Sequence, residues 1–186
     1  MATRKNSHAG FTVPGLTLTN GHKVGEILQL RLHALNDLQL TLKHAHWNVV
    51  GRNFIAVHEM LDPEVDEVRG MVDETAERMA TLGVSPNGLP GELVKSRSWD
   101  DYSIGRAGTG EHIAALDLVY KGVVASHRQA IGEVGPLDPI TEDMLIGQTA
   151  KLEHFQWFLR SHLEDGAGNL ADAAAHTEKA AAAAAK

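Results

Sequence analysis

Cysteine is absent from the 186-residue sequence, which excludes disulfide staples, thiolate ligands and thiol catalysis and suits a chain that meets oxidants. No apolar run approaches the ~18 residues a membrane helix needs, so no membrane partner is expected. The segment from Met1 to His8 lacks the apolar core of a secretory signal, and a cytoplasmic location is the expectation. Acidic residues are missing from positions 1–25, which carry Arg4, Lys5 and Lys23, while the whole chain has a net charge of -7. A basic arm is therefore joined to an acidic body. With 43% hydrophobic residues, that body is long enough to bury a core of its own as one domain.

Residues 1–20 hold Gly10, Pro14 and Gly15 among several threonines with no hydrophobic period, which predicts a flexible arm. From about Lys23, the residues Val24, Leu28, Leu35, Leu38, Leu42 and Val49 recur at steps of three, four or seven, as in an amphipathic helix ending near Val50. Gly51 supplies its C-terminal cap and Asn53 a restart, so a second helix runs back from about Asn53 to Leu82, with Gly83 as its stop. Pro63 inside that second helix predicts a kink or a restart. Residues 83–108 change character, with Pro86, Gly88, Pro90 and Gly91, and a short helix is expected over Ser98–Ile104 around Trp99 and Tyr102. That connection is far longer than a hairpin needs.

A third helix, about Thr109 to Glu133, is built on Ile113, Leu116, Tyr120, Val123 and Val124, and Gly135 with Pro136 ends it. A fourth runs from Pro139 to about Leu163 with Leu145, Leu152, Phe155 and Leu159 inward. Two hairpins joined by one long crossover describe an all-α, ferritin-like four-helix bundle over residues 21–165. The Ala-rich tail, residues 166–186, has helix propensity but little to bury, so partial order or disorder is expected.

The chemistry concentrates between His46 and Glu77. On a continuous helix, His58, Asp62, Asp73 and Glu77 fall at about 0°, 40°, 60° and 100° around the axis, on one stripe. Their heights differ: His58 lies roughly 22 Å from Asp73 and roughly 28 Å from Glu77. No single ion spans that distance. Two copies running antiparallel about a two-fold axis near Glu67 and Val68 bring the histidine end of one to the carboxylate end of the other, giving two identical sites per dimer. Imidazoles with carboxylates and no thiolate suit Fe(II), Mn(II) or Zn(II). Two other arrangements lack their residues. No Glu has a His three positions later, as a di-iron site within one bundle uses. The run from His58 and Glu59 to Asp62 has no second histidine to make a zinc-protease helix.

The runs His46 to Phe54, Val57 to Asp62 and Asp73 to Arg78 resemble the Dps family, the bacterial mini-ferritins known as DNA-binding proteins from starved cells. The likeness covers about residues 24–165, and the spacings from His46 of 12 to His58, 27 to Asp73 and 31 to Glu77 match the family pattern. It implies an iron site with His46, His58 and Asp62 from one chain and Asp73 and Glu77 from its partner. Asp62 is ligand or near-ligand in that reading, and an Asp before Pro63 is also at home as a helix N-cap. Trp47, beside the first ligand, either donates a hydrogen bond and shields the metal or packs in the core. His44 points to a different side of its helix and reads as structural or solvated, while Phe54, Phe155, Trp157 and Phe158 read as core or subunit contacts.

The same resemblance implies a ferroxidase that oxidises Fe(II), preferably with hydrogen peroxide, taking two electrons from an iron pair. Ferric mineral is then stored in a homo-oligomeric shell of twelve subunits built from two-fold dimers, protecting DNA from oxidative stress. Asp138, Glu142 and Asp143 are candidates for an acidic pore admitting iron, the alternative being favourable charges at a helix N-terminus. A different class of function is a DNA-condensing, nucleoid-associated structural protein whose metal site is secondary. In it Arg4, Lys5, Lys23 and the terminal amine contact phosphates, a weak attraction multiplied over twelve arms. A shell that buffers zinc or manganese is a third reading.

Overall fold

In the computed structural model, which describes residues 8–186, α1 spans Leu18–Asn48 and begins where Thr17 accepts the Asn20 N–H on its side chain at 3.2 Å. Val24, Leu28, Leu32, Leu35, Leu38, Leu42 and Ala45 recur at three or four and are each 1% exposed or less, a single stripe that orients the helix. The helix starts ahead of the expected Lys23 and stops before the expected Val50. Val49 and Val50 form a short extended β1, paired in parallel with β2, Ala107–Gly108. Branched valines favour that backbone. The chain then turns through Gly51 at φ 95° and Asn53 at φ 61°, the left-handed region that Gly and Asn tolerate.

Helix α2 spans Phe54–Thr81 without a restart, although Pro63 lies inside it. The Pro63 ring removes the donor that would serve the Glu59 carbonyl, and both residues are exposed, so water can take that place. At its end the Val84 N–H bonds the Met79 carbonyl at 2.9 Å around Gly83 at φ 80°. A Cβ on Gly83 would lie 2.1 Å from the Phe11 carbonyl oxygen, and the Ala9 N–H donates to the Gly83 carbonyl at 2.8 Å. Part of the stretch expected as a free arm thus packs on this turn, with Val13 and Leu16 against the core. Arg4 and Lys5 lie outside the described residues.

The crossover climbs alongside α1. Val84 meets Gly25, the Asn87 carbonyl accepts from Gln29 at 2.9 Å, Trp99 Nε1 donates to Asp37 at 2.6 Å, and the Ile104 carbonyl accepts from His44 Nε2 at 3.0 Å. It ends in β2 beside the α1–α2 turn, so α4, Thr109–Val134, starts at that end and runs in the direction of α2. The short crossover helix is α3, Pro90–Ser96, and not the expected Ser98–Ile104. Pro90 at its first turn and Glu92 beside it favour the earlier start, whereas the segment after Arg97 is held extended by its side-chain anchors on α1. Helix α5, Pro139–Leu163, is capped by Asp138, whose side chain accepts the Ile140 N–H at 3.3 Å.

Two apolar clusters fill the bundle, one around Leu38, Leu61, Leu116 and Leu159 and one around Leu28, Met79, Val134 and Leu145. Between them lie Thr75, His127 and Gln148, all fully or nearly fully buried, with Gln148 Nε2 donating to Thr75 at 3.3 Å and to Glu74 at 2.9 Å. In the upper cluster the buried Glu64 accepts from the Tyr120 hydroxyl at 2.8 Å. Burial pushes that carboxyl up to about 7, against the pull of the hydrogen bond.

The Ala-rich tail has more order than its composition led us to expect. It forms α6, Glu178–Ala184, which buries Ala181 and Ala182 against α4 and approaches so closely that a Cβ on Gly110 would lie 2.4 Å from the Ala185 carbonyl oxygen. Glu178 adds two hydrogen bonds of 2.6 Å from Ser103, tying the tail to the crossover.

Candidate metal centre

The α1–α2 turn places His46, in the last turn of α1, against His58, in the second turn of α2. Their rings stack with centroids 3.6 Å apart and planes inclined by 21°. Each imidazole donates from Nδ1 to the other residue's backbone carbonyl, His46 to His58 at 2.8 Å and His58 to His46 at 2.9 Å. The His46 carbonyl belongs to the unpaired set that every helix leaves at its C-terminus, so His58 caps α1 while fixing itself. Donation from Nδ1 leaves the lone pair of each ring on Nε2, the arrangement of metal-ligating histidines whose second nitrogen is held by a carbonyl. Phe54 leans on the His58 ring with centroids 4.9 Å apart.

Asp62, one turn beyond His58, brings Oδ1 within 3.4 Å of His46 Nδ1 and accepts a hydrogen bond from the Lys43 ammonium. That bond holds the Asp62 carboxyl below its usual range, against the opposing effect of burial and with help from the charges of His46, Lys43 and His58. It is an interior residue of α2 and not an N-cap. Lys43 was not anticipated. It sits one turn before His46 on α1, a spacing that shares a helix face and could have flagged it.

Asp73 and Glu77 lie toward the opposite end of α2, and both are exposed. The cations beside them are engaged elsewhere. Arg69 is 3.6 Å from Asp66, and Arg78 donates from Nη2 to Asp138 at 2.6 Å and from Nε to Thr141 at 2.9 Å. Among the described residues, no three metal-capable side chains of one chain converge. The single chain stacks His46 on His58 and sets Asp62 beside His46, short of a three-residue metal group, and it leaves Asp73 and Glu77 toward the other end of α2.

Trp47 is 72% exposed, so core packing is not its role in the single chain. With Leu40 at 62% and Ile55 at 57%, it leaves large apolar side chains uncovered on the same hairpin as the histidines. His44 is structural, bonded to the crossover at Ile104 and edge-on to Tyr102. Asp138 is 4% exposed and committed to Arg78 and its own helix cap, which removes it from any pore lining. Burial pushes its carboxyl up, but Thr141 and Arg78 together outweigh burial and hold it below the usual range. Glu142 is half-buried and folds back toward Gly135, and Asp143 is exposed.

Four helices with one long crossover, and imidazoles presented beside carboxylates, define a ferritin-like domain, and the family model of that description matches residues 25–168. The DNA protection during starvation protein of Mycolicibacterium smegmatis is 54% identical over 92% of this chain and 94% of its own. The solved structure of Mycobacterium smegmatis Dps superposes with a TM-score of 0.90 at 53% identity, covering 92% of this chain and 98% of that one. DpsA14 from Streptomyces coelicolor gives 0.87 at 57% identity over 90% and 99%. The chain belongs to the Dps family of ferritin-like proteins. A fine tangled pili major subunit of Haemophilus ducreyi is also similar, 56% identical over 89% of this chain and 87% of its own.

Proposed function

We propose that the chain is a ferroxidase and iron store whose sites form between two copies. One observation supports this above the others: the two Nε2 lone pairs are presented at one end of α2, while unengaged carboxylates stand on its other end. An antiparallel partner supplies Asp73 and Glu77 to His46, His58 and Asp62, with Trp47 closing the seam. Such a site would keep coordination positions for iron substrate and oxidant, and Glu77 would help to hold a second iron. Two Fe(II) each give up one electron, the peroxide O–O bond breaks, and two protons complete two waters, so hydroxyl radical is not released. A twelve-subunit shell then holds the ferric product.

The test is stopped-flow Fe(II) oxidation on size-fractionated protein. Wild type should consume about one peroxide per two Fe(II), and His58→Ala with Asp73→Asn should lose the activity while the assembly elutes unchanged. Oxidation unaffected by the double variant defeats the proposal. Zinc should compete with iron for the same site.

The relatives' name favours a second role beside this one, protection of DNA. Lys23 is exposed near the start of α1. Deleting residues 2–8 should weaken retardation of duplex DNA, and added salt should weaken it further. A complex insensitive to both argues against DNA contact through the arm.

A further inference from the structure

A cavity of about 600 Å³ lies between α1, the crossover, α4 and the segment leading into α6, away from the histidine pair. Its walls combine an apolar stretch, with Leu38 on α1, Val119 and Val123 on α4, and Trp99 and Tyr102 on the crossover, with a polar rim that includes Asp37, Asp100, Asp101 and Glu178. At one end sits Arg31, which is 9% exposed. Its Nη1 donates to the Ser126 hydroxyl, and among the described residues it has no other hydrogen bond and no carboxylate within ion-pair distance. Burial lowers its pKa, and the charge of Glu133 compensates only from a distance.

The carboxylates of the same wall are in the opposite condition. Asp37 accepts from Trp99 at 2.6 Å and pairs with Arg97 at 3.3 Å, Asp101 pairs with Arg97 at 2.5 Å, and Glu178 takes two bonds from Ser103. Asp100 is exposed to solvent at the rim. Among the described residues, Arg31 is therefore the one buried wall charge that makes no ion pair. A buried guanidinium in that state is costly and is stabilised by a carboxylate or other oxyanion placed against its free N–H groups.

We propose that this cavity binds a small amphiphilic carboxylate, its charged group on Arg31 and its apolar body along Leu38, Val119 and Val123. The volume falls in the range of small-molecule sites. One buried cation beside an apolar stretch, with acids already on the rim, matches at most a monoanion with a hydrocarbon or aromatic body, and a phosphate dianion would leave a charge uncompensated beside Asp37 and Asp101.

Calorimetric titration of octanoate into the assembled, full-length protein tests this, with 1-octanol and inorganic phosphate as comparison probes. Octanoate should bind once per chain and 1-octanol at least about tenfold more weakly, the scale of one charge-assisted hydrogen-bonded pair. Arg31→Met should weaken octanoate by the same factor and leave 1-octanol unchanged. Gly122 lines the cavity, and a Cβ there meets nothing within 4 Å. Gly122→Leu should therefore fill the space without moving α4 and remove binding of both octyl probes. Equal binding of octanoate and 1-octanol, or octanoate binding indifferent to Arg31→Met, overturns the proposal. So does phosphate displacing octanoate at equal concentration. Absent octanoate binding, with Arg31→Met changing the subunit count, assigns the missing anion to a second copy and overturns it equally.

Discussion

The two ends of α2 carry the two halves of the proposed site in opposite physical states. At the histidine end every group is held. His46 and His58 bond each other's backbone, His46 is 7% exposed, and Lys43 steadies Asp62. At the carboxylate end Asp73 and Glu77 stand in solvent, and the adjacent Arg78 is drawn away by Asp138 and Thr141. The difference teaches how the proposed shared site would be assembled. On the proposed reading, the half that presents nitrogen lone pairs is preorganised within one chain, and the half that supplies charge stays in solvent until a partner arrives.

The largest expected effect comes from breaking either half. His58→Ala should reduce Fe(II) oxidation at least ~100-fold, and Asp73→Asn with Glu77→Gln should reduce it as much, because each removes ligands from every site. The two halves should separate in stability. Losing His58 uncaps the end of α1 and should cost about 1 kcal/mol, whereas the carboxylate changes should leave Tm within about a degree. Equal melting losses would mean that the acid end is engaged within its own chain.

A change remote from the ligands should blur the contrast. Asp138→Asn removes the partner of a largely buried guanidinium and should cost about 3 kcal/mol. The released Arg78 can then neutralise Glu77, so oxidation should fall several-fold with every ligand intact. The sign with pH follows from the depressed carboxyl of Asp138. Its contribution is complete above the unfolded value near 4 and is lost as pH falls through the lower folded value, so wild type and Asp138→Asn should converge in stability at strongly acid pH.

The smallest effect on activity belongs to the polar belt between the two core clusters. Burial, aided by the positive Arg31, holds His127 down at about 4. The unfolded imidazole, near 6.5, binds a proton first, so stability should decline as pH drops from about 6.5 to about 4, by up to roughly 3 kcal/mol. His127→Leu should flatten that decline and leave iron oxidation unchanged, showing that acid loss in this window does not start at the site.

The helices and their topology were legible because they rest on repeated local signals. The Val24 to Ala45 stripe, Gly51, Gly83 and Pro139 each state their element within one or two turns of chain. The ligand spacing likewise put His46 and His58 on facing sides of one short turn. What was not legible depends on contacts between distant segments. The crossover helix was displaced because the side chains of Arg97 and Trp99 are anchored on Asp37, far away in sequence. The order of the tail arises from the burial of Ala181 and Ala182 against α4 and the close approach of Ala185 to Gly110, and alanine composition by itself carries no such information. Lys43 went unnoticed because its partner Asp62 lies on the other helix.

A mixing experiment tests the shared site most directly. His58→Ala protein and Asp73→Asn/Glu77→Gln protein, each inactive alone, are unfolded together, refolded and assayed for peroxide-driven Fe(II) oxidation. Random pairing makes half the dimers mixed, and each mixed dimer holds one site with intact histidines from one chain and intact carboxylates from the other. Activity should therefore return to about a quarter of wild type. A mixture as inactive as its parents would show that each chain builds its site alone and would contradict the account.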